Sequence, residues 1–547
     1  MSNTSFRFTL TSALAGAVLL AGCAVGPDYE RPELDLPQSA FNSTLLSEQQ
    51  ERSLVAWWTQ YNDPVLNNLI DQALDSNLDI ALQFERIQQA RAQLGYADAN
   101  LYPSISAQAD GMRQHTSGAT SGAQSGTGSS GGTASGGQTG SSGLSTSGQR
   151  FNYFSVAATL NYELDIFGGL RRSAEQARAQ LLSSAYTQDS MRLMVVSDVV
   201  ANYVSLRSLQ RQIKVTQETI RTRKQGLGLD QKRYEFGAID KLTLLQTQSL
   251  LDSAQAELAP LEQQESQTRT SLAILTGKTP RQILEHTEIA DGGFEDIRLP
   301  EDLPVVLPSL LVARRPDIRA AEASLIAANA NVGAAKAQFF PTFNLTSMIG
   351  TQALDVSDLF EPFSKVESIG GSISAPILDF GRINAQYRGA KSQKRQAEIQ
   401  YRQTVRAAFQ EVHDALDSIK YSRQQLDAVQ KQVDSYRETL KLANIRYQVG
   451  RTNYFDVLDA QRQLFTSQLS LATAIRDRFT ATADLYKALG GGWTQDSDSL
   501  DAGLDAVAAK YEPTDDTSNK QAVRPDTVST DAANRTSSDD SSGAAGQ

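Results

Sequence analysis

The sequence of 547 residues contains one cysteine and three histidines, and both scarcities exclude classes of site. A single cysteine, Cys23, leaves no partner for a disulfide within the chain. His115, His286 and His413 lie too far apart to provide the paired spacing of a metal site. The sequence also lacks a nucleophile elbow, a phosphate-binding loop and a metal motif. We therefore expect no enzyme, no metal and no organic cofactor.

The chain also lacks an excess of positive charge and has only one long apolar run. The formal net charge is −11, which argues against a nucleic-acid partner. Eleven acidic and four basic residues lie between Asp496 and Asp540, and we interpret residues 493–547 as an acidic, disordered tail. The apolar run from Leu10 to Ala21 is too short to span a bilayer. Any membrane crossing is therefore expected to use β-strands.

This apolar run has the features of a secretory signal with a lipid-attachment site. It ends in Leu20-Ala21-Gly22-Cys23, a small-residue cleavage site directly before the cysteine. We interpret residues 1–22 as a lipoprotein signal peptide, Cys23 as the lipidated residue and residues 23–64 as a lipidated N-terminal tether. Ala24 stands where an inner-membrane retention signal has aspartate, so we expect the outer membrane. The alternative is an ordinary signal peptide with a chance cysteine.

Two halves of the chain carry the same motifs in the same order. An Asp-Ile pair and an aromatic-Pro pair return 238 positions later, and an Arg-Tyr pair followed by glycine returns 213 positions later. The matched motifs are Asp79-Ile80 with Asp317-Ile318, Tyr102-Pro103 with Phe340-Pro341, and Arg233-Tyr234 and Gly237 with Arg446-Tyr447 and Gly450. A repeat of this size indicates a symmetric scaffold. We assign a first repeat to 65–276, an irregular equatorial linker to 277–308 and a second repeat to 309–492.

Each repeat is predicted to contain a helical segment, a β-hairpin and a long helical hairpin. In the first repeat, the spacing of apolar residues predicts one helix from Val65 to about Asn100. Apolar and polar residues alternate from Val156 to Leu164, which is typical of a strand. The β-hairpins are expected at about 102–165 and 340–379. The first surrounds a Gly/Ser loop at 117–148, which is either an external loop or a linker without a role.

The long helices are predicted from the near absence of helix-breaking residues. Between Arg382 and Val449 there is no proline and only one glycine, Gly389. A helix of this length, with a rise of 1.5 Å per residue, is about 100 Å long. Apolar residues within it step by three and four, as in a coiled coil. Each long helix is expected to turn at Gly237 or Gly450 and to return as a second helix.

Four strands per chain are too few to form a closed barrel, since about eight are needed even for a small one. Open sheet edges do not occur in the hydrocarbon of a membrane, because unpaired backbone groups there cost several kcal/mol each. The predicted barrel must therefore be shared between several chains. The strand count requires several copies of the chain but does not determine that there are three.

Three motifs together resemble a known family. They are the lipid-attachment site followed by Gly26-Pro27-Asp28-Tyr29-Glu30-Arg31-Pro32, the segment Arg314-Arg315-Pro316-Asp317-Ile318, and the turn from Val449-Gly450 to Leu458-Asp459-Ala460-Gln461. The chain resembles the TolC-like outer-membrane efflux factors, in the lipoprotein branch typified by OprM and NodT, over residues 23–492. The resemblance implies a membrane α+β fold: a homotrimeric outer-membrane barrel, with four strands per chain, continued by a long α-helical periplasmic barrel. It also implies an exit duct for small molecules, partnered by a periplasmic adaptor and an inner-membrane transporter.

The resemblance also implies a gate at the second helical turn, with both turns, at Gly237 and Gly450, forming the tip where the adaptor docks. Asp459 falls at the family's acidic constriction, Asp456 at a second acid, and Tyr447 at an aromatic residue that helps to latch the closed tip. Asp456 and Asp459 share a helix face near Phe455 and Arg462. Alternatively, both carboxylates only cap the helix or pair with Arg462.

Two positions restrict this assignment. Thr452 stands where TolC has arginine, which removes one expected latch partner. Gln246 occupies the position of the first repeat that corresponds to Asp459, so only one of the two hairpins is expected to carry the gate. Two other functions remain open at this point: an exit duct for type I protein secretion, and an envelope lipoprotein that conducts no ions.

Overall fold

A computed structural model describes residues 24–34, 54–115, 150–284, 289, 294, 297, 311–312 and 314–492. Several sequence-based predictions fall outside these residues. They are the signal peptide, the lipidated Cys23, the Gly/Ser loop 117–148, most of the linker 277–308 and the acidic tail.

The described residues form two successions of helix, strand pair, long helix and return helix. The first comprises α1 (Pro64–Ser76), α2 (Leu78–Ala99), β1 (Ser104–His115), β2 (Arg150–Leu164), α3 (Gly169–Glu235) and α4 (Lys241–Leu275). A short α5 (Pro280–Leu284) follows. The second comprises α6 (Pro316–Ala337), β3 (Thr342–Ala353), β4 (Lys365–Ser374), α7 (Arg382–Gln448) and α8 (Tyr454–Ala488).

The long helices have equal lengths in the two repeats. Both α3 and α7 contain 67 residues, and both return helices, α4 and α8, contain 35. A helix of 67 residues is about 100 Å long, as the sequence predicts. Within the described residues, no helix has a stretch long and apolar enough to cross a membrane.

One helix predicted from Val65 to about Asn100 is in fact two. Asn77 separates α1 from α2, and its side-chain oxygen accepts hydrogen bonds from the amides of Asp79 and Ile80. The side-chain amide nitrogen of Asn77 donates to the backbone carbonyl of Leu275 at 2.9 Å. Asn77 therefore starts α2 as an N-cap and joins this end of the helix to the end of α4.

The four strands form one antiparallel sheet in the order β1-β2-β3-β4. In the middle of the sheet, Leu164 of β2 lies opposite Phe343 of β3. The pairing brings the two repeats together through their strands, and β1 and β4 are the outer strands of this sheet.

The main hydrophobic core includes residues that the sequence analysis assigned to the tether. Trp57 and Tyr61 lie in a short 3-10 turn, Trp57–Tyr61, and are fully buried. The Trp57 ring stacks on Tyr486 of α8 with 5.2 Å between centroids. The hydroxyl of Tyr203 in α3 donates to the carboxylate of Asp63, which also caps α1. Residues 54–63 thus belong to the helical body, because large aromatic side chains gain most from burial there.

The residues just after Cys23 are held against the helical body. The amide of Val25 donates to the carbonyl of Phe167 at 3.0 Å. Arg172 of α3 pairs with Asp28 at 2.7 Å, and Arg31 pairs with Glu322 of α6 at 2.6 Å. Val25 and Asp28 are therefore held where β2 passes into α3.

Arg315, from the motif that opens the second repeat, joins three helices. Its buried guanidinium donates to the carbonyl of Ala488 at the end of α8. The same group pairs with Asp317 of α6 and Glu411 of α7, each at 2.7 Å. A positive charge at the C-terminal end of α8 also complements the helix dipole.

Asp189 of α3 is expected to make stability depend on pH. Burial raises the pKa of its carboxyl to about 6, although the positive charges of Arg192 and Arg319 act to lower it. Because the folded chain then holds the proton more tightly, stability is expected to fall as the pH rises from about 4 to 6. Asp189→Asn is expected to remove this fall, measured as the thermal unfolding midpoint of purified protein at several pH values. Identical pH profiles for the variant and the wild type would contradict the prediction.

Candidate functional site

The two turns between the long and return helices have the same backbone geometry. Gly237 and Gly450 have φ angles of 69° and 68°, in the left-handed region that favours glycine. The amide of the following residue donates back to the carbonyl of an arginine, Arg233 at 2.7 Å or Arg446 at 2.8 Å. These bonds close each long helix with a glycine cap. The two predicted turn residues therefore occupy equivalent positions at the ends of the two helical hairpins.

Asp456 lies in the first turn of α8 and is exposed. Its amide donates to the side chain of Asn453, the N-cap residue, at 3.2 Å. Its carboxylate accepts a hydrogen bond from the hydroxyl of Thr452. A carboxylate at this end of a helix is also favoured by the helix dipole. Thr452, the residue that departs from TolC, thus contacts Asp456 directly.

Asp459 lies one turn further along α8. Its carboxylate pairs with Arg462 at 2.6 Å, and both side chains are partly exposed. An exposed pair of this kind contributes about 1 kcal/mol or less. The ion pair between Asp459 and Arg462, one of the alternatives predicted from the sequence, is therefore present in the single chain. Because it contributes so little, either side chain can exchange its partner for another.

The aromatic residues of this turn lie on both sides of Gly450. The ring of Tyr447, at the end of α7, lies 4.9 Å from the ring of Tyr454, at the start of α8. Phe455 is exposed. Tyr447 thus packs on the start of the helix that carries both acidic residues.

The two repeats that contain these turns match one family. The family described as outer membrane efflux protein matches residues 69–278 and 307–491. The chain belongs to this family. The matched residues include both helical turns and all four strands in full.

Named proteins of this efflux family are similar over most of the chain. The "Cation efflux system protein CusC" of Escherichia coli O6:H1 is 31% identical over 481 residues, which cover 88% of this chain and 98% of CusC. The "Probable outer membrane lipoprotein SilC" of Salmonella typhimurium is 30% identical, covering 90% of this chain and all of SilC. The crystal structure of the Campylobacter jejuni CmeC outer membrane channel has a TM-score of 0.79 and 26% identity, covering 90% of this chain and 99% of CmeC.

These similarities confirm three expectations from the sequence: the TolC-like family, the efflux function and the outer-membrane location. The similar proteins are channels rather than enzymes. The family description and the name of CusC both specify efflux, which favours the efflux duct over the type I secretion duct and the non-conducting lipoprotein. The roles of individual residues at the turn remain predictions.

The first helical hairpin of this efflux protein contains a buried acidic residue that was not predicted from the sequence. Asp230 of α3 is 1% exposed. Its carboxylate accepts a hydrogen bond from the hydroxyl of Thr247 in α4 at 3.0 Å and lies 3.5 Å from Arg233. The carboxylate also lies beside the Tyr454 hydroxyl, and burial together with this negative charge raises the pKa of Tyr454 to about 12. Asp230 therefore joins the first hairpin to the start of α8.

A signal for this contact was present in the repeat. At an offset of 213 positions, Asp230 corresponds to Ala443 and Thr247 corresponds to Ala460. Tyr454 corresponds to Lys241. Three departures from the repeat thus meet at one point, and comparing the two halves position by position would have indicated it.

Proposed function

We propose that the chain forms a homotrimeric exit channel of a tripartite efflux system. Its four-stranded sheet continues directly into helices of 67 residues. Three copies would supply twelve strands, enough for a closed barrel, and would satisfy the backbone groups at the edges of β1 and β4. The observation that carries the proposal is this four-stranded sheet with its two outer strands at opposite edges. The long helices of the three copies would continue the barrel as a periplasmic tunnel.

The periplasmic adaptor would dock at the tip formed by the turns at Gly237 and Gly450. Both turns carry exposed apolar side chains that support this assignment. They are Phe236, Leu242 and Leu245 at the first turn, and Val449 and Phe455 at the second. Apolar side chains grouped on a surface are typical of a protein contact. The adaptor would in turn join the channel to an inner-membrane transporter.

The gate would be formed by Asp456 and Asp459, with Tyr447, Phe455 and Arg462 around them. In a trimer the two acids would form acidic rings, and contacts to neighbouring copies would hold the tip closed. The exchangeable pair between Asp459 and Arg462 supports this role, because either partner can turn to a neighbouring chain at little cost.

Lipid on Cys23 would anchor the channel to the outer membrane. The hydrogen bond between Val25 and Phe167 supports this role, because it fixes the chain two residues from Cys23 beside the end of β2. The acyl chains would then enter the membrane at the level where the strands pass into the helices. The transported compounds would be small molecules, and no other cofactor is required.

Reconstitution of the purified chain tests the channel directly. We expect a native mass of three copies and discrete conductance steps in planar lipid bilayers. Gly350→Val provides a control without a channel, because a side chain there would meet the carbonyl oxygen of Val156 at 2.4 Å and separate β2 from β3. A folded wild-type chain that remains a monomer and conducts no ions would refute the proposal.

A further inference from the structure

A polar recess lies between α3, α6 and α7, close to the ends of the strands. Its volume is about 480 Å³, which is within the range of small-molecule sites in proteins. Five carboxamide side chains and one hydroxyl line it, together with alanine and glycine. They are Gln176, Asn331, Gln338, Gln386, Gln393 and Ser173. Among the described residues, no charged side chain lies in its wall, so the recess offers hydrogen-bond donors and acceptors without a net charge.

Three of the five carboxamides are available to a bound solute. The side chain of Asn331 donates to Gln393 at 3.0 Å and so links α6 to α7. Within the part of the chain that the structure describes, the side chains of Gln176, Gln338 and Gln386 form no hydrogen bond. One pair of carboxamides therefore holds two of the helices together, and the other three can bind a ligand.

Gly389 in the wall of the recess has no structural reason to be glycine. It is the only glycine among the 67 residues of α7, and glycine in a helix interior is less stable than alanine. A Cβ atom added at this position would meet no other atom of the chain within 4 Å, so close packing does not require glycine. The helical backbone does not require it either. What the missing side chain does is leave the recess open.

The residues at 24–34 identify the outer face of α6. Asn329 donates to the carbonyl of Pro27 at 2.9 Å, and Glu322 pairs with Arg31. These two residues of α6 are seven positions apart and share one face. With about 100° of rotation per residue, Asn331 and Gln338 lie on the opposite face. The segment leads to the proposed lipid, which must enter the membrane outside a barrel, so the recess lies on the face of α6 that lines the lumen.

We propose that this recess is a binding site on the tunnel wall for an uncharged transported compound that is rich in hydroxyl or amide groups. The inference rests on the proposed homotrimeric channel and names a class of compound that the channel holds in transit. Three copies present three such recesses around the lumen. A carboxamide both donates and accepts, so it pairs with hydroxyl and amide groups of a solute. A charged compound would lose water there without gaining an opposite charge, so the site favours neutral compounds.

Binding at this site is expected to be weak, because a transported compound must also leave. A dissociation constant on the order of 1 mM is compatible with both requirements. Saturation-transfer NMR measures binding in this range, and its readout does not depend on conductance.

The experiment uses full-length trimers in lipid nanodiscs and two probes of similar size. Maltose is an uncharged disaccharide, and maltobionate carries one carboxylate. We expect a saturable signal for maltose and about tenfold weaker binding of maltobionate, because the recess has no positive charge to pair with the carboxylate.

Filling the recess is the first test by substitution. Gly389→Leu adds a side chain to its wall and removes no polar group. Leucine favours a helix more than glycine does, so we expect an unfolding temperature no lower than that of the wild type, with about tenfold weaker binding of maltose. The matched control is Gly226→Leu in α3, where an added Cβ also meets nothing within 4 Å. It is expected to bind maltose as the wild type does.

Removing carboxamides is the second test. Gln338→Met combined with Gln386→Met keeps the side-chain volume and removes two hydrogen-bonding groups, so maltose is expected to bind about tenfold more weakly. Gln430→Met, at an exposed position of α7 outside the recess, is expected to leave binding unchanged.

The outcomes separate the site from the proposed function. Conducting trimers that do not bind maltose, or that bind maltobionate equally well, would overturn the site and leave the channel intact. Unchanged maltose binding in Gly389→Leu and in the double glutamine variant would do the same. A monomer without conductance would instead refute the proposed function. Saturable binding of maltose that is weakened by Gly389→Leu and retained in Gly226→Leu supports the inference.

Discussion

Replacing both Asp456 and Asp459 by alanine is expected to open the resting channel and to raise its mean conductance in planar bilayers about tenfold. A coupling free energy of about 1 to 3 kcal/mol shifts a two-state equilibrium by this order. The double substitution removes both proposed acidic rings. It also removes the hydrogen bond from Thr452 and the pair with Arg462. The native mass is expected to remain that of a trimer, since neither carboxylate is buried.

The chain offers a matched control for this experiment. Asp434 pairs with Arg437 three residues along α7 at 2.7 Å, which is the spacing of Asp459 and Arg462 on α8. Asp434→Ala, about four helical turns from the tip, is expected to leave conductance unchanged. Unchanged conductance in the Asp456 and Asp459 double variant would show that the gate is elsewhere.

Variants that lose the negative charges but keep hydrogen-bond acceptors distinguish the effect of charge from that of hydrogen bonding at the tip. Asn in place of Asp456 and Asp459 keeps an acceptor for Thr452 and removes both negative charges. If charge governs ion passage, these variants are expected to lose preference for cations, measured as a shift in reversal potential across a salt gradient. If the wild type and the Asn variants had the same preference for cations, the carboxylates would serve only to hold the tip closed.

Replacing Asp230 with alanine is expected to release the second hairpin from the first and to increase leak through the channel. The change removes the carboxylate that accepts from the buried Thr247 hydroxyl and that lies beside Tyr454. A buried polar group without a partner costs about 1 to 3 kcal/mol. Leak is measured as sensitivity of cells to a large antibiotic that the intact outer membrane excludes, at equal amounts of trimer.

A double-mutant cycle separates this contact from a general loss of stability. Tyr454→Phe removes only the hydroxyl and is expected to increase leak less than Asp230→Ala does. The two changes together are expected to exceed the effect of Asp230→Ala only slightly, because both remove the same contact. Asp252→Ala, at an exposed position of α4, provides the control. Additive effects of Asp230→Ala and Tyr454→Phe would mean that the two residues act independently.

The predictions that succeeded depended on local features of the chain. The strand pairs and the four long helices follow from alternation, from the near absence of Gly and Pro in α3 and α7, and from the turns at Gly237 and Gly450. These signals lie within a few residues of the structure that they predict. The repeat added the correspondence between the halves.

The predictions that failed involved partners far away in the sequence. Asn77 divides the first helix, and its amide bonds to the carbonyl of Leu275, 198 positions away. Trp57 and Tyr61 looked like the end of a tether because their partners, Tyr486 and Phe479, lie near the end of the second repeat. The motif around Arg315 was recognised from the sequence, but its links to Ala488 and Glu411 were visible only in the structure.

The sequence by itself determined the repeat, the type and order of the elements, the family and the acidic turn at Asp456 and Asp459. Only the tertiary structure decided which distant side chains those elements bring together, such as Asp230 with Tyr454, and the register in which the four strands pair. The physical reason is that helix and strand periodicity is set by neighbouring residues. Buried hydrogen bonds and strand registers depend instead on how distant segments pack against one another.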